Sequence, residues 1–169
     1  MNRSLYQKYE GPNQFRLDIV GESFKESNIQ KVTKNHPDGH AVATLNWDIL
    51  NENDNKAISV IIDGYEVGYL SRENARQYHK MLKNLQLNED TKLVVDATFH
   101  QKEFTANTGI WLDFGVLLKP REWQYILDTC TDIKMTKEEI KKSGYAARGC
   151  FTFIFGISFV ILIMIKSLI

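Results

Sequence analysis

The sequence predicts an α+β fold: a small, partly closed β-barrel of about six strands with one inserted helix, followed by C-terminal helices and a single transmembrane helix. Three observations predict it. Short segments of alternating apolar and polar residues recur between residues 15 and 118. One segment, opening at Ser71, instead carries a helix cap and helical spacing. The run from Gly149 to Ile165 contains no charged residue.

Residues 1–14 are polar, contain Gly11-Pro12-Asn13 and show no period, which predicts a loose N-terminal arm. Phe15 to Val20 alternates as a half-buried strand does. Residues 21–40 are polar and end in His36-Pro37-Asp38-Gly39-His40, predicting a turn-rich loop with one short helical turn before it. Ala41 to Leu50 reads as a second strand, with Ala43, Leu45 and Trp47 opposite Val42, Thr44 and Asn46. Asn51-Glu-Asn-Asp-Asn55 is a cluster of turn formers. Ala57–Ile62 and Tyr65–Leu70 then form a hairpin on Asp63-Gly64, a pair suited to a type I′ turn because both residues tolerate positive φ. Ser71 caps a helix from Arg72 to about Lys83, with Ala75, Tyr78, Leu82 and Leu85 as its apolar stripe. Thr91–His100 and Ile110–Leu118 are two further strands joined through Ala106-Asn-Thr-Gly109. Pro120 opens a short helix through Asp128, and Thr136-Lys-Glu-Glu139 is a capping box for another that ends near Gly144. The predicted organisation is thus an arm over 1–14, a barrel domain over 15–119, a helical linker over 120–147 and an anchor over 148–169.

The run from Gly149 to Ile165 spans about 25 Å as a helix, slightly under the roughly 30 Å hydrocarbon core. Arg148 and Lys166 can snorkel and extend the apolar span. The run is apolar on every face, which argues against a helix buried in a core. Its position predicts a tail anchor that contacts membrane lipid through residues 149–169. Lys137, Lys141, Lys142 and Arg148 precede it and Lys166 alone follows, so the N-terminal domain is expected to be cytoplasmic.

Lys plus Arg and Asp plus Glu number 21 each. Residues 1–119 carry a charge of −2 and the remainder +2. Such a domain is unsuited to strong non-specific nucleic-acid binding, which depends on neutralising phosphates. It leaves room for a small site on one strand end. The two cysteines, Cys130 and Cys150, imply no disulfide framework.

Chemistry-bearing patterns are few. His36 and His40 flank a turn, but two ligands with no nearby cysteine fit a solvated loop better than a metal site. Trp111 and Arg121-Glu122-Trp123 read as core or helix-packing residues. Asp54 can accept a hydrogen bond from a ligand hydroxyl or cap its own turn. Gly68 permits close backbone approach by a ligand or a neighbouring strand. Tyr65 and Tyr69 stand at i, i+4 in the hairpin, either as a stacking platform or as cross-strand packing. Arg72 at a helix N-terminus opposes the helix dipole, which hints at an anion there. No nucleophile-and-base pair, glycine-rich phosphate loop or zinc-ligand spacing is visible, so no enzyme, cofactor or metal is predicted.

The block Asn51-Glu-Asn-Asp-Asn-Lys-Ala-Ile-Ser-Val-Ile-Ile-Asp-Gly-Tyr-Glu-Val-Gly-Tyr-Leu-Ser-Arg-Glu-Asn-Ala-Arg76 resembles the HIRAN family. Its order of Asp, Ala-Ile, strand, turn, then Val-Gly-Tyr-Leu-x-Arg-Glu looks like the family's core pattern. Ile19-Val-Gly-Glu-Ser-Phe24 is similar to its first strand and loop. The resemblance covers roughly residues 15–118 and is most specific from Asp54 to Glu73. It implies an OB-like barrel. In fork-remodelling ATPases that carry this domain, it captures the 3′ end of single-stranded DNA. The resemblance implies Phe24 as the aromatic packing on a terminal nucleotide and Asn51 and Asp54 near its hydroxyl. It likewise implies Tyr69 as a ring position and Arg72 as a phosphate contact. Ser23 stands where DNA-binding members have arginine, and Asn53 where they have a base-stacking tyrosine. A stacking ring is worth about 1–3 kcal/mol per base, so these departures bear on the ligand more than on the fold. The resulting expectation is a membrane-tethered nucleic-acid-binding module for single-stranded DNA ends. The alternative is a membrane-anchored protein–protein interaction module on the same fold that has lost DNA binding.

Overall fold

The computed structural model describes residues 6–88, 90–101, 108–114 and 130–132. The readings that fall on 120–128, 136–144 and 148–169 lie outside these residues. The described residues contain eight strands: β1 (Tyr6–Tyr9), β2 (Leu17–Asp18), β3 (His40–Trp47), β4 (Ile58–Ile62), β5 (Tyr65–Tyr69), β6 (Lys92–Gln101), β7 (Thr108–Leu112) and β8 (Cys130–Asp132). Helix α1 (Glu26–Asn35) follows a 3₁₀ turn at Glu22–Phe24, and α2 (Arg72–Asn84) follows β5. Among these residues no helix is long and apolar enough to cross a membrane.

Six strands form a curled antiparallel half-barrel in the order β2-β7-β6-β3-β4-β5, the α+β class that the sequence predicts. β6 organises the curl. One edge pairs with β3 from Leu93 to Thr98. The other edge is shared: β1 runs parallel to it at Lys92–Val94, and β7 antiparallel at Ala97–Gln101. One edge of β6 thus serves two different partners in succession. The inner face is apolar and dry, with Leu45, Ile58, Val60, Ile62, Leu93 and Ile110 all at 0 % exposure. Each such burial is worth about 1.5–3 kcal/mol against leaving the side chain in water.

The hairpin forms as its turn residues dictate. Asp63 and Gly64 take φ of 51° and 81°, and Ile62 pairs with Tyr65. Ser71 Oγ accepts from the Asn74 amide, and α2 buries Ala75, Tyr78, Met81 and Leu82, with Leu85 only partly covered.

Several readings change. The arm expected to be loose supplies β1, because Tyr6 and Tyr9 are buried and the strand pairs with both β6 and β8. The loop expected over 21–40 contains the ten-residue helix α1, which buries only Ile29 and Val32 and lies against β5. Trp111 is not in the core: it stacks on His100 with centroids 3.8 Å apart and remains 39 % exposed, while Ile110 and Leu112 point inward. Tyr65 and Tyr69 do not keep their i, i+4 relation. The register moves from Ile61–Glu66 to Val60–Gly68, so Val67 is an extra residue that shifts the alternation between the two rings.

Candidate binding surface

The site positions gather where the first and last strands of the curled path meet. Val20 and Tyr69 exchange both backbone hydrogen bonds, at 2.8 and 2.9 Å. Gly68 makes that approach feasible. A Cβ there would stand 2.8 Å from Ile19 Cδ1 and 2.8 Å from the Val20 carbonyl oxygen, so packing by the neighbouring strand is what this glycine serves. After Val20 the chain turns at Gly21 (φ 84°) into the 3₁₀ turn, closed by the Phe24 amide on the Gly21 carbonyl at 3.1 Å. Phe24 emerges from this turn 88 % exposed. Lys25 then pairs with Glu66 at 2.6 Å and lies 6.0 Å from the centre of the Tyr69 ring, while Lys31 covers Tyr65. Asn28 Nδ2 donates to the Glu66 carbonyl and docks α1 on β5.

The loop over 48–56 supplies the opposite wall. Asn51 Oδ1 accepts the amides of Asn53 and Asp54 at 3.0 and 3.1 Å, and its Nδ2 donates to Asp48 Oδ2 at 3.2 Å. Asp54 Oδ1 accepts the Lys56 amide at 2.9 Å. Both residues therefore work as side-chain caps of an Asx-rich turn. The Tyr69 hydroxyl donates to the same Asp48 oxygen at 3.2 Å, joining β5 to the loop. Burial, then the nearby Glu66 and Asp48 carboxylates, push the Tyr69 phenol above its ordinary value, so it remains a donor at neutral pH. Arg72 Nε lies 3.9 Å from Asp54 Oδ2 with its side chain 76 % exposed, a loose pair that holds the guanidinium weakly.

The structure thus places Asn51, Asp54, Tyr69 and Arg72 along one line of contacts through Asp48, with Phe24 on the turn that leaves the Val20–Tyr69 bridge. Ser23 and Asn53 are both exposed. Asp48 is the connecting group that the sequence reading passed over; its position one residue past β3, before a dense Asx cluster, was the available signal. The alternation predicts Ile49 and Leu50 at the end of a strand. They sit in the loop instead, 61 % and 72 % exposed. With Val20 and Phe24 they make four of the seven exposed large apolar side chains among the described residues, which concentrates apolar surface on this end.

Charge is just as uneven. The segments 20–26, 48–56 and 66–73 hold seven carboxylates against three cations, a net of −4. A metal site is a different matter. Among the described residues no three His, Cys, Asp or Glu side chains gather to hold an ion. His36 Nε2 meets Asp63 Oδ2 at 3.0 Å at the hairpin turn, and the His40 ring tilts against Phe15.

No family model, no curated protein and no solved structure matches the chain.

Proposed function

We propose that the chain is a non-catalytic binding module that holds a segment of another protein on the face around Tyr69. The observation that carries this reading is the contrast between its polar and apolar groups. The Asn51 oxygen and one Asp54 oxygen are spent on their own turn, while Val20, Phe24, Ile49 and Leu50 face water. Exposed apolar side chains gathered at one end, beside Asn51 and Asp54 oxygens already used in their own turn, fit a protein contact. The resemblance of Asn51–Arg76 to the HIRAN family and the curled half-barrel support an OB-like barrel as the finer fold. The apolar run Gly149–Ile165 supports membrane attachment, and the excess of Lys and Arg before it supports the cytoplasmic face.

A second reading, capture of a single-stranded DNA 3′ end, has its own observation. The Phe24 ring is free to stack, the Tyr69–Asp48 pair can meet a hydroxyl, and Arg72 is loosely held beside them. The net charge of −4 weighs against it. The two readings separate in one assay. The full-length chain in lipid nanodiscs is titrated with fluorescent single strands bearing a free or a phosphorylated 3′ end, at low salt. No binding, or no preference for the free end, supports the protein-binding reading. Tight binding that prefers the free 3′ end and is lost in Phe24→Ser replaces it with the strand-end reading.

A further inference from the structure

Resting on the protein-binding reading, we infer that the partner segment is basic and amphipathic: apolar side chains for the rim, with lysine or arginine for the carboxylates between them. The apolar half of the argument is positional. Val20 and Phe24 flank Tyr69 through the bridge and the 3₁₀ turn; Ile49 and Leu50 flank it through Asp48, which receives the Tyr69 hydroxyl. Apolar side chains therefore stand on both sides of one ring. Between them the acceptors outnumber the donors. Asp48 Oδ2 takes both Tyr69 and Asn51, while Asp48 Oδ1 receives no hydrogen bond among the described residues. Among the described residues, Asp54 Oδ2 meets only the loose Arg72 guanidinium, at 3.9 Å. Glu52, on the same loop, is exposed.

The local cations do not cancel this field. Lys25 is engaged with Glu66 at 2.6 Å, leaving Lys56 and Arg72 to face Glu26, Asp48, Glu52, Asp54 and Glu73. An acidic or phosphorylated segment would bring like charge onto this end, which costs affinity and slows encounter. A neutral apolar segment would cover the rim and strand the carboxylates without partners. A segment carrying both apolar groups and cations satisfies the rim and the carboxylates together, and its apolar residues at helical spacing suit a surface with two apolar flanks.

The test uses the full-length chain in nanodiscs of zwitterionic lipid and four fluorescent probes. These are a short Leu/Lys amphipathic peptide, the same peptide with Glu for Lys, the same with Ser for Leu, and a single-stranded oligonucleotide. The expected result is binding of the Leu/Lys peptide and a loss of about tenfold or more with either change to it, the scale of one lost anchor. Leu50→Ser and Phe24→Ser, both at exposed positions, should each weaken it about tenfold with unchanged melting temperature. Glu52→Lys should weaken it and flatten its salt dependence. If the Glu peptide binds as well as the Lys peptide in a Leu50-sensitive manner, the basic partner is wrong while the protein-binding reading stands. If the oligonucleotide alone binds and Phe24→Ser abolishes it, both fall. Binding of none of the peptides overturns the inference.

Discussion

Val20 and Tyr69 exchange two backbone hydrogen bonds, and through them the segment after β2 is fastened to β5, the far end of the curled sheet. The same bridge shapes the proposed binding surface, because Phe24 leaves from one side of it and the Tyr69 hydroxyl reaches Asp48 from the other. Closure and site geometry are therefore one problem at this end of the molecule.

Gly68→Ala should open that closure. The added methyl meets a backbone oxygen, which cannot swing aside as a side chain would. Overpacking of this kind costs about 1–3 kcal/mol. The melting temperature should fall, and amide exchange at Val20 and Tyr69 should quicken relative to the β3–β6 amides. A normal melt with both amides still protected would show that the bridge contributes little.

Asn51→Ala separates a structural role from a ligand-contacting one. Two amides lose their acceptor, and each such bond is worth about 0.5–1.5 kcal/mol net. The variant should melt earlier, and Asn51→Asp should recover only part of the loss, because it keeps the acceptor but sets a second carboxylate against Asp48 Oδ2. If Asn51→Ala leaves the melt unchanged but removes binding to a strand end, the ligand contact implied by the family resemblance is the better account of this residue.

The parts of the fold written in adjacent residues were legible, and the parts written in distant ones were not. Asp63-Gly64 announces its hairpin because the turn chemistry and both alternating strands are contiguous. Ser71 and the stripe from Ala75 to Leu82 announce α2 in the same way. Helix α1 escapes because two buried residues in ten leave almost no apolar period, and its docking uses side-chain bonds to residues distant in sequence, Asn28 to the Glu66 carbonyl and Asn35 to Asp63. β1 escapes because Tyr-Gln-Lys-Tyr looks polar, and its partners lie more than eighty residues away on β6 and β8. At the surface, the five positions drawn from the resemblance fall at one end because the hairpin register carries Tyr69 and Arg72 there. Asp48, Ile49 and Leu50 are harder to place, because two apolar residues extend the alternation of β3 and only the Asx cluster after them hints that the strand stops at the Trp47–Ile58 pair.

The uncharged run Gly149–Ile165 predicts membrane attachment. The full-length chain should remain in the membrane pellet after carbonate washing at high pH. Replacing Ile157 and Val160 by Lys should release it, because each charge at the centre of a span costs about 2.5–3.5 kcal/mol on insertion scales. A wild-type chain that washes off would show that the run does not insert.

The last prediction concerns Lys92 and the pH dependence of stability. Lys92 is 3 % exposed, with its ammonium 5.8 Å from the centre of the Tyr6 ring. Burial lowers it from 10.5 to about 7, against a smaller opposing pull from Asp90. The sign follows from the protons each state binds. Between about pH 7 and 10 the unfolded chain keeps the lysine proton and the folded chain releases it, so folding grows more favourable as pH rises, by up to about 1.4 kcal/mol per pH unit from this group. Below pH 7 both states are protonated and the slope from Lys92 vanishes, leaving the full cost of a buried charge. Above pH 10 the raised Tyr69 acts in the opposite sense, because the unfolded phenol ionises first and stability falls. Chemical denaturation of the wild type between pH 6.5 and 9.5 should therefore show rising stability, and Lys92→Met should flatten the rise. A wild-type profile that is level or falling across this interval, or a Lys92→Met profile with the same slope, would show that Lys92 keeps its proton in the fold.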